Sequence, residues 1–475
     1  QGQHLALRRE AGAAPDVDPH GIGFLAHQWI IGYNRPMPFW SAPCDLALQR
    51  PSLSEATGGR DMTEDSSEAH RSEPAKPPAA TQATGEGGAP RRGGIDVGLV
   101  AVGLLVLIAV SPSFQPGLPD IADAPIHLYR TAEWVRSWQA GILLPRWSSH
   151  LAYGYGYPLF VFVPPLPYAL AGGLHLLGLD LTTAIKLLSI SCFALAGFGM
   201  YALAREYLNR GASIVASAAF LFAPFILREA YLYGGNYPQL LAISLYPAVL
   251  WSFHRLMERR RPGYLLLAAG LYGALVLTHN FHSLLFTPIL VLYILVSAGV
   301  SPRHGAGGNT YPLRRTSPWL QYLRKVLAAG LALVLGLGWT AFFWLPALIE
   351  RRWTRAQAEY YVAASPYFRR FLDWRDLIAQ PEPLDAAAAN PSLPFTLGLV
   401  IVVLAIMGIA AAAARRRTRG IAILFGLSLL LAVLMMFPVS EWVWRNVPLL
   451  AVAEFPWRLM GVAALFAAFL AGAAT

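Results

Sequence analysis

Apolar runs near the length of a membrane crossing recur along this chain at 98–114, 181–204, 212–228, 238–257, 263–280, 281–300, 326–348, 395–414, 420–438 and 458–474. Each approaches the roughly 20 residues that an α-helix needs to cross about 30 Å of hydrocarbon. Runs such as Val326 to Leu348 far exceed the roughly 10 residues of a transmembrane barrel strand, and only helices or closed barrels satisfy their backbone in lipid. The pattern therefore predicts an all-α polytopic membrane protein with about ten transmembrane helices.

The polar intervals orient those helices. Arg91-Arg92 precede the first run, Arg205 and Arg210 flank the 204–212 turn, and Arg259-Arg260-Arg261 follow the fourth. Arg303, Arg314, Arg315, Arg324 and Lys325 occupy 301–325, and Arg415-Arg416-Arg417 with Arg419 occupy 414–420. Such clusters mark cytoplasmic loops, which puts the N-terminus inside and the loops at 115–180, 229–237, 278–282, 349–394 and 439–457 outside. Residues 158–178 are apolar enough to count as another span, yet a span there would turn every later cluster outward. Pro164, Pro165 and Pro167 break a helix at that point, so the economical reading is a juxtamembrane segment along the outer interface. The alternative is an ordinary span with a weaker charge rule.

Composition agrees: of 475 residues 55% are hydrophobic and 13% charged, with a mean hydropathy of +0.44, too apolar for a soluble protein of this size. The net charge of +10 sits in the short inter-span clusters, which argues against nucleic acid as a partner. Cys44 and Cys192 are the only cysteines, one in a polar tail and one inside a span, so a disulfide framework or Cys-based metal site is not expected. Residues 1–94, rich in Ala, Pro, Gly, Ser and Glu, read as a disordered cytoplasmic tail. Met62 opens a second, ordinary-looking N-terminus, which makes 1–61 an upstream extension. No basic leader with a cleavage site stands near residue 1, so Gly98 to Phe114 reads as a first span or uncleaved anchor.

Candidate chemistry gathers on the outer side. Asp123 and His127 are four apart and share a helix face, which Arg130 continues. A carboxylate beside an imidazole can activate a hydroxyl or help hold a divalent metal. The competing reading is an interfacial helix anchored by Trp134 and Trp138, with its polar residues facing water. Tyr153-Gly-Tyr155-Gly-Tyr157-Pro, with Trp147 before it, can stack a sugar or simply join an aromatic belt. Glu229 is expected to pair with a neighbouring arginine. His279 and His282 interrupt two spans at their outer ends and could bind metal or phosphate, or merely cap a hairpin. Arg351, Arg352, Arg355, Arg369 and Arg370 break the positive-inside trend unless their loop serves an anion. Arg458 enters the last span beside Glu454, and Lys186 is the main charge well inside a span, without a paired carboxylate.

Taken together, the acidic first outer loop, His127-x-x-Arg130, Gly141-x-x-x-Pro-Arg-Trp147, the Gly-Tyr-Gly-Tyr-Pro run, Thr278-His-Asn and Phe455-Pro-Trp-Arg458 resemble a family. It is the bacterial and archaeal multispanning family labelled 6-pyruvoyl-tetrahydropterin synthase-related, similar in layout to the GT-C superfamily of membrane glycosyltransferases. That resemblance covers roughly 95–475. It implies a polyprenyl-phosphate-linked sugar donor, a cell-envelope acceptor, a plasma-membrane location with an extracytoplasmic active face, and an essential acidic residue in the first outer loop. Asp123 is the leading candidate and Asp120 the alternate. His127 would orient the acceptor or share a divalent metal (Mg or Mn) with Asp123. Arg351, Arg352, Arg355, His279, His282 and Arg458 would hold the phosphate, and Tyr155, Tyr157 and Trp147 would contact the sugar or acceptor. The acidic motif departs from the adjacent acidic pair of protein mannosyltransferases, which disfavours protein O-mannosylation. Relatives of this type continue beyond a span such as the one ending near Thr475, so a missing C-terminal part is expected. A non-enzymatic lipid-handling role, as a flippase or assembly scaffold, is the alternative.

Overall fold

The computed structural model describes residues 96–118, 123–232, 236–299, 317–353, 367–380, 395–416, 418–447, 450 and 453–475. The tail at 1–94, Asp120 and Arg355 lie outside them. Helices α1 (Val97–Ala109), α2 (Ala124–Gln139), α3 (Leu166–Leu176), α4 (Leu181–Arg205), α5 (Arg210–Leu221), α6 (Tyr237–Arg259) and α7 (Pro262–Val276) come first. They are followed by α8 (Asn280–Gly299), α9 (Pro318–Trp339), α10 (Ala341–Glu350), α11 (Leu399–Ala414), α12 (Arg419–Leu434) and α13 (Met460–Ala473). Local chemistry sets several starts. The side chains of Asp96, Asp180, Asn209 and Asn236 accept from the amides of Gly98, Thr183, Ala212 and Gln239 at 3.0, 3.0, 2.9 and 3.3 Å, which satisfies donors the first turn leaves open.

Every apolar run falls on a helix or a bent pair of helices. Among the described residues five helices are long and apolar enough to cross a membrane, and up to seven if each bent pair is one span. The bends, 45° between Arg210–Leu221 and Pro224–Tyr231 and 89° between Arg419–Leu434 and Pro438–Asn446, fall where a proline removes an amide donor and pushes the preceding residue out of the helical region. Helices α1, α7 and α11 are apolar but hold 13, 15 and 16 residues, about 20–24 Å at 1.5 Å per residue. The run at 326–348 is corrected: α9 starts eight residues earlier, at Pro318, and the helix breaks at Thr340, whose φ of −99° and ψ of 4° leave the helical ladder. The segment at 158–178 is broken at Val163–Pro165, as its prolines predict. Its two pieces, Leu159–Phe162 and α3, are 4 and 11 residues long, and neither can span a bilayer.

Successive long helices run back and forth, so the polar groups collect at two ends of the bundle. One end carries the arginine-rich turns. There Arg210 pairs with Asp96 at 3.0 Å, Arg255 with Glu206 at 2.8 Å and Lys325 with Glu258 at 2.8 Å. At the centre lies α13, in which every residue from Met460 to Ala473 is buried, as expected for a helix apolar all round. Small residues let neighbours approach it closely. A Cβ on Gly408 of α11 would stand 1.7 Å from the Leu470 carbonyl oxygen, and one on Gly472 would stand 2.4 Å from that of Ala212. Gly408→Ala is therefore expected to destabilise the protein by about 1–3 kcal/mol, the usual cost of overpacking. Gly330→Ala, where nothing lies within 4 Å, should be neutral or stabilising because Ala favours the helix. Thermal unfolding in detergent checks both; equal melting temperatures would refute the close-contact account.

Candidate functional site

The end opposite the arginine-rich turns brings five distant segments together. Asp123 stands at the N-terminus of α2 with Pro125 just inside the helix, and the His127 amide donates to the Asp123 carbonyl at 3.1 Å. The helix is thus continuous through the predicted Asp123–His127 spacing. The Asp123 carboxylate is half-buried and accepts from the Asn236 amide at 3.3 Å. His127 is buried, 5% exposed, with its Nδ1 3.0 Å from the Tyr168 hydroxyl. Tyr168 also accepts from Arg130 at 3.4 Å. Burial raises the Tyr168 phenol above its usual range despite the Arg130 field, so it keeps its proton. The Tyr237 hydroxyl donates to the His127 carbonyl at 3.0 Å, and Thr131 lies 2.7 Å from the same hydroxyl.

A second wall comes from the broken span after α5. Arg228 and Glu229 lie in a π-helical turn, Arg228–Leu232, a distortion frequent at functional sites. They pair in full burial, 4% and 0% exposed. The Arg228 guanidinium sits 3.9 Å over the Phe395 ring, and Phe395 stacks on Trp457 at 4.4 Å. The fields of Asp123 and Arg458 both reach Glu229. Arg458 itself hydrogen-bonds the Ala453 carbonyl, lies 3.4 Å from Glu454 and stacks 4.2 Å over Phe281.

The turn between α7 and α8 completes the cluster. His279 and His282 meet edge to face with ring centroids 4.6 Å apart, and the Tyr246 hydroxyl lies 2.6 Å from His282 Nδ1. Burial, then the positive fields of His282, Arg458 and His127, push the His279 imidazole well below its usual range. It is neutral near pH 7 and offers hydrogen bonds rather than fixed charge. The turn is tied to the first loop, because Leu166 donates to the Leu277 carbonyl at 2.9 Å and Asn280 to that of Phe162 at 2.8 Å.

Other expected residues lie at the rim. Tyr155 is 86% exposed and Trp147 52%. Tyr157 is half-buried, facing Arg130. The loop between them is closed by paired backbone bonds from Ser148 to Tyr157, at 2.9 and 3.2 Å. Gly156 permits it at a φ of +70°, since a Cβ there would strike the Trp147 indole at 2.3 Å. Arg351 and Arg352 are exposed in a turn after α10, with Arg352 5.0 Å over Trp353. Arg146 reaches across to Glu350. The anticipated phosphate group thus divides into an inner set, buried His282 with half-buried His279 and Arg458, and an exposed pair on the rim.

Two expectations change. Trp134 is not an interfacial anchor: it is 2% exposed because that face of α2 packs on Phe160, 4.9 Å away and perpendicular. Lys186 lies near the N-terminal end of α4, where its amine donates to the Gln115 carbonyl, while the deeply buried charges are Arg228 and Glu229. Asp123 is half-buried beside Asn236, while His127 is buried with its Nδ1 against the Tyr168 hydroxyl. Among the described residues no three His, Cys, Asp or Glu side chains converge in a metal-holding group. Asp123 alone still fits a hard cation, because Mg²⁺ is commonly held by one or two carboxylates and substrate phosphate.

Glu133 carried no motif and is the residue that organises the aromatic loop. Although 2% exposed, it accepts from Ser148 Oγ at 3.0 Å and the His150 amide at 3.2 Å, and pairs with Arg136 and His150 at 3.0 Å each. Burial raises this carboxyl, but the His150 amide, Ser148 and Arg136 outweigh it and hold it below the usual range. Because the folded value is the lower one, its contribution to loop stability is fully present above about pH 4.3, the unfolded value, and is lost as pH falls through the folded value. The protection factor of the His150 amide, its exchange relative to the intrinsic rate at each pH, should therefore fall on acidification and already be low at pH 7 in Glu133→Gln. An unchanged exchange rate in the variant would remove Glu133 from this role.

The fold and the buried polar end define a multi-pass, all-helical membrane protein. Residues 160–475 match the family model described as the 6-pyruvoyl-tetrahydropterin synthase related domain, a membrane protein, and the chain belongs to that family. No curated protein matches it. Solved structures similar to it include the Archaeoglobus fulgidus oligosaccharyltransferase tethered to an acceptor peptide containing the NVT sequon. That match has 15% identity and a TM-score of 0.45, covering 79% of this chain and 49% of that one. Another is oligosaccharyltransferase AglB of the same organism with an inhibitory peptide and a dolichol-phosphate, at 15% identity and a TM-score of 0.43, covering 79% and 50%. The chain spans about half the length of these proteins, and at such TM-scores the likeness assigns it no activity.

Proposed function

We propose that this protein is a membrane transferase that moves a sugar from a polyprenyl-phosphate donor to a cell-envelope acceptor, at the extracytoplasmic end of its bundle. The observation that carries the reading is the convergence of Asp123, Arg130, Arg228–Glu229, His279–His282 and Arg458 at the end opposite the arginine-rich turns. Titratable groups at membrane depth are costly and mark functional sites. Asp123 would take the acceptor hydroxyl proton as that oxygen bonds to the sugar anomeric carbon. The bond from that carbon to the phosphate oxygen breaks, and the phosphate leaves with its electron pair. Arg458 would stabilise that charge, His279 and His282 would hydrogen-bond it, and Arg351 and Arg352 would gather the anionic lipid at the rim, a role also proposed for Arg355, which lies outside the described residues. Tyr155, Tyr157 and Trp147 suit a sugar face. A divalent cation held by Asp123 and phosphate oxygens would supply Lewis-acid assistance.

A lipid-handling role is the second reading. It is favoured by the buried Arg228–Glu229 pair in a broken span, since discontinuous helices and buried charges also characterise transporters. The test is transfer of radiolabelled sugar from a panel of polyprenyl-phosphate sugars in proteoliposomes, with and without divalent metal. Transfer from one donor is expected. No transfer from any donor, with labelled lipid crossing the bilayer, would replace this reading with the second.

A further inference from the structure

Beside the Asp123 cluster, a cavity of about 240 Å³ opens between the segment after α1 and the first turns of α4. Its apolar walls include Pro112, Pro116, Leu118, Ala124, Ile185 and Ala230, and its polar groups are Ser113, Gln115, Lys186, Ser189, Tyr231 and Tyr237. We propose that this cavity binds a phosphate-bearing anionic lipid, with Lys186 as counter-ion and the apolar walls holding the first part of its chain. The site stands apart from the phosphate-leaving role given to Arg458 and does not depend on sugar transfer taking place.

Three observations support it. Lys186 is half-buried and spends one of its three ammonium donors on the Gln115 carbonyl, leaving two for a ligand at the cavity mouth. The surrounding surface suits hydrocarbon: Leu107, Ile108, Phe114 and Leu187 are 58, 61, 69 and 37% exposed. The polar floor is braced, because Tyr231 donates to the Ala109 carbonyl at 2.8 Å and lies 3.3 Å from Ser113 Oγ. The volume falls below the roughly 300–1,000 Å³ of pockets that enclose a whole drug-sized ligand. It therefore suits a headgroup-proximal chain segment whose remainder lies in the membrane. Ala124 and Ala230, adjoining Asp123 and Glu229 in sequence, form the inner wall and set the lipid beside the proposed reaction site.

Two lipids share this chemistry, a polyprenyl phosphate and a bulk phosphatidylglycerol. Photoactivatable forms of each, presented singly to the full chain in phosphatidylcholine vesicles, would be crosslinked and the adducts mapped by peptide mass spectrometry. Adducts are expected on peptides containing 112–118 and 185–189. Lys186→Glu should lower them about tenfold, Lys186→Arg should retain them, and Ser189→Leu, which fills the cavity, should lower them with the charge intact. Stronger labelling by the polyprenyl probe would make the site part of donor binding; stronger labelling by phosphatidylglycerol would make it a resident-lipid site. Labelling spread evenly over lipid-facing helices, or unchanged in both Lys186→Glu and Ser189→Leu at wild-type melting temperature, would overturn the proposal.

Discussion

Arg228→Met is expected to lower stability by about 3–5 kcal/mol, the usual consequence of removing one partner of a buried ion pair. Glu229 is fully buried beside it, so the substitution strands a carboxylate in an apolar setting and removes a cation from the face of Phe395. The cost arises from the unpaired charge rather than from the pair itself. The double variant Arg228→Met/Glu229→Leu should consequently recover most of the loss, since apolar replacement of a whole buried pair is often neutral or better. Thermal unfolding of the single and double variants in the same detergent checks this. A double variant no more stable than Arg228→Met would show that shape, not charge, holds the π-helical turn.

Asp123→Asn should reduce sugar transfer by at least 10²–10⁴-fold, the span that a positioned general base contributes. An amide keeps the size of the carboxylate and can still meet Asn236, but cannot accept the acceptor proton or hold a hard cation. Expression and melting temperature should be unchanged, because Asp123 is half-exposed and its side chain does not cap α2. Asn236→Ala, which removes the amide steadying that carboxylate and also the cap of α6, should cost far less transfer while lowering the melting temperature. Retained transfer in Asp123→Asn would shift the base to another carboxylate of the cluster, Glu229 or Glu454.

Elements were readable where their causes are local. Helix starts follow from Asp96, Asp180 and Asn209, whose side chains cap amides two or three residues on. The breaks at Val163–Pro165, Ala223–Pro224 and Phe437–Pro438 follow from proline's missing donor. The Asp123–His127 spacing rests on helix periodicity, and Arg458–Glu454, four apart, met as expected. By contrast α9 was misplaced, because its polar first turns, Pro318 to Lys325, hide a helix start from hydropathy alone.

Which polar groups meet was decided by packing between segments far apart in the chain, and that leaves no periodic trace. Neither Glu133's hold on Ser148 and His150 nor Phe395's position over Arg228 has a signature in spacing, because each depends on how loops close and helices dock. The same holds for Trp134, whose type suits an interface or a core equally until Phe160 covers it. Apolar run length and prolines therefore sufficed for a bundle of membrane helices. Only the tertiary structure set Arg458 over Phe281 and made His279 a neutral partner, because burial and the field of neighbouring charges exist only once the helices are assembled.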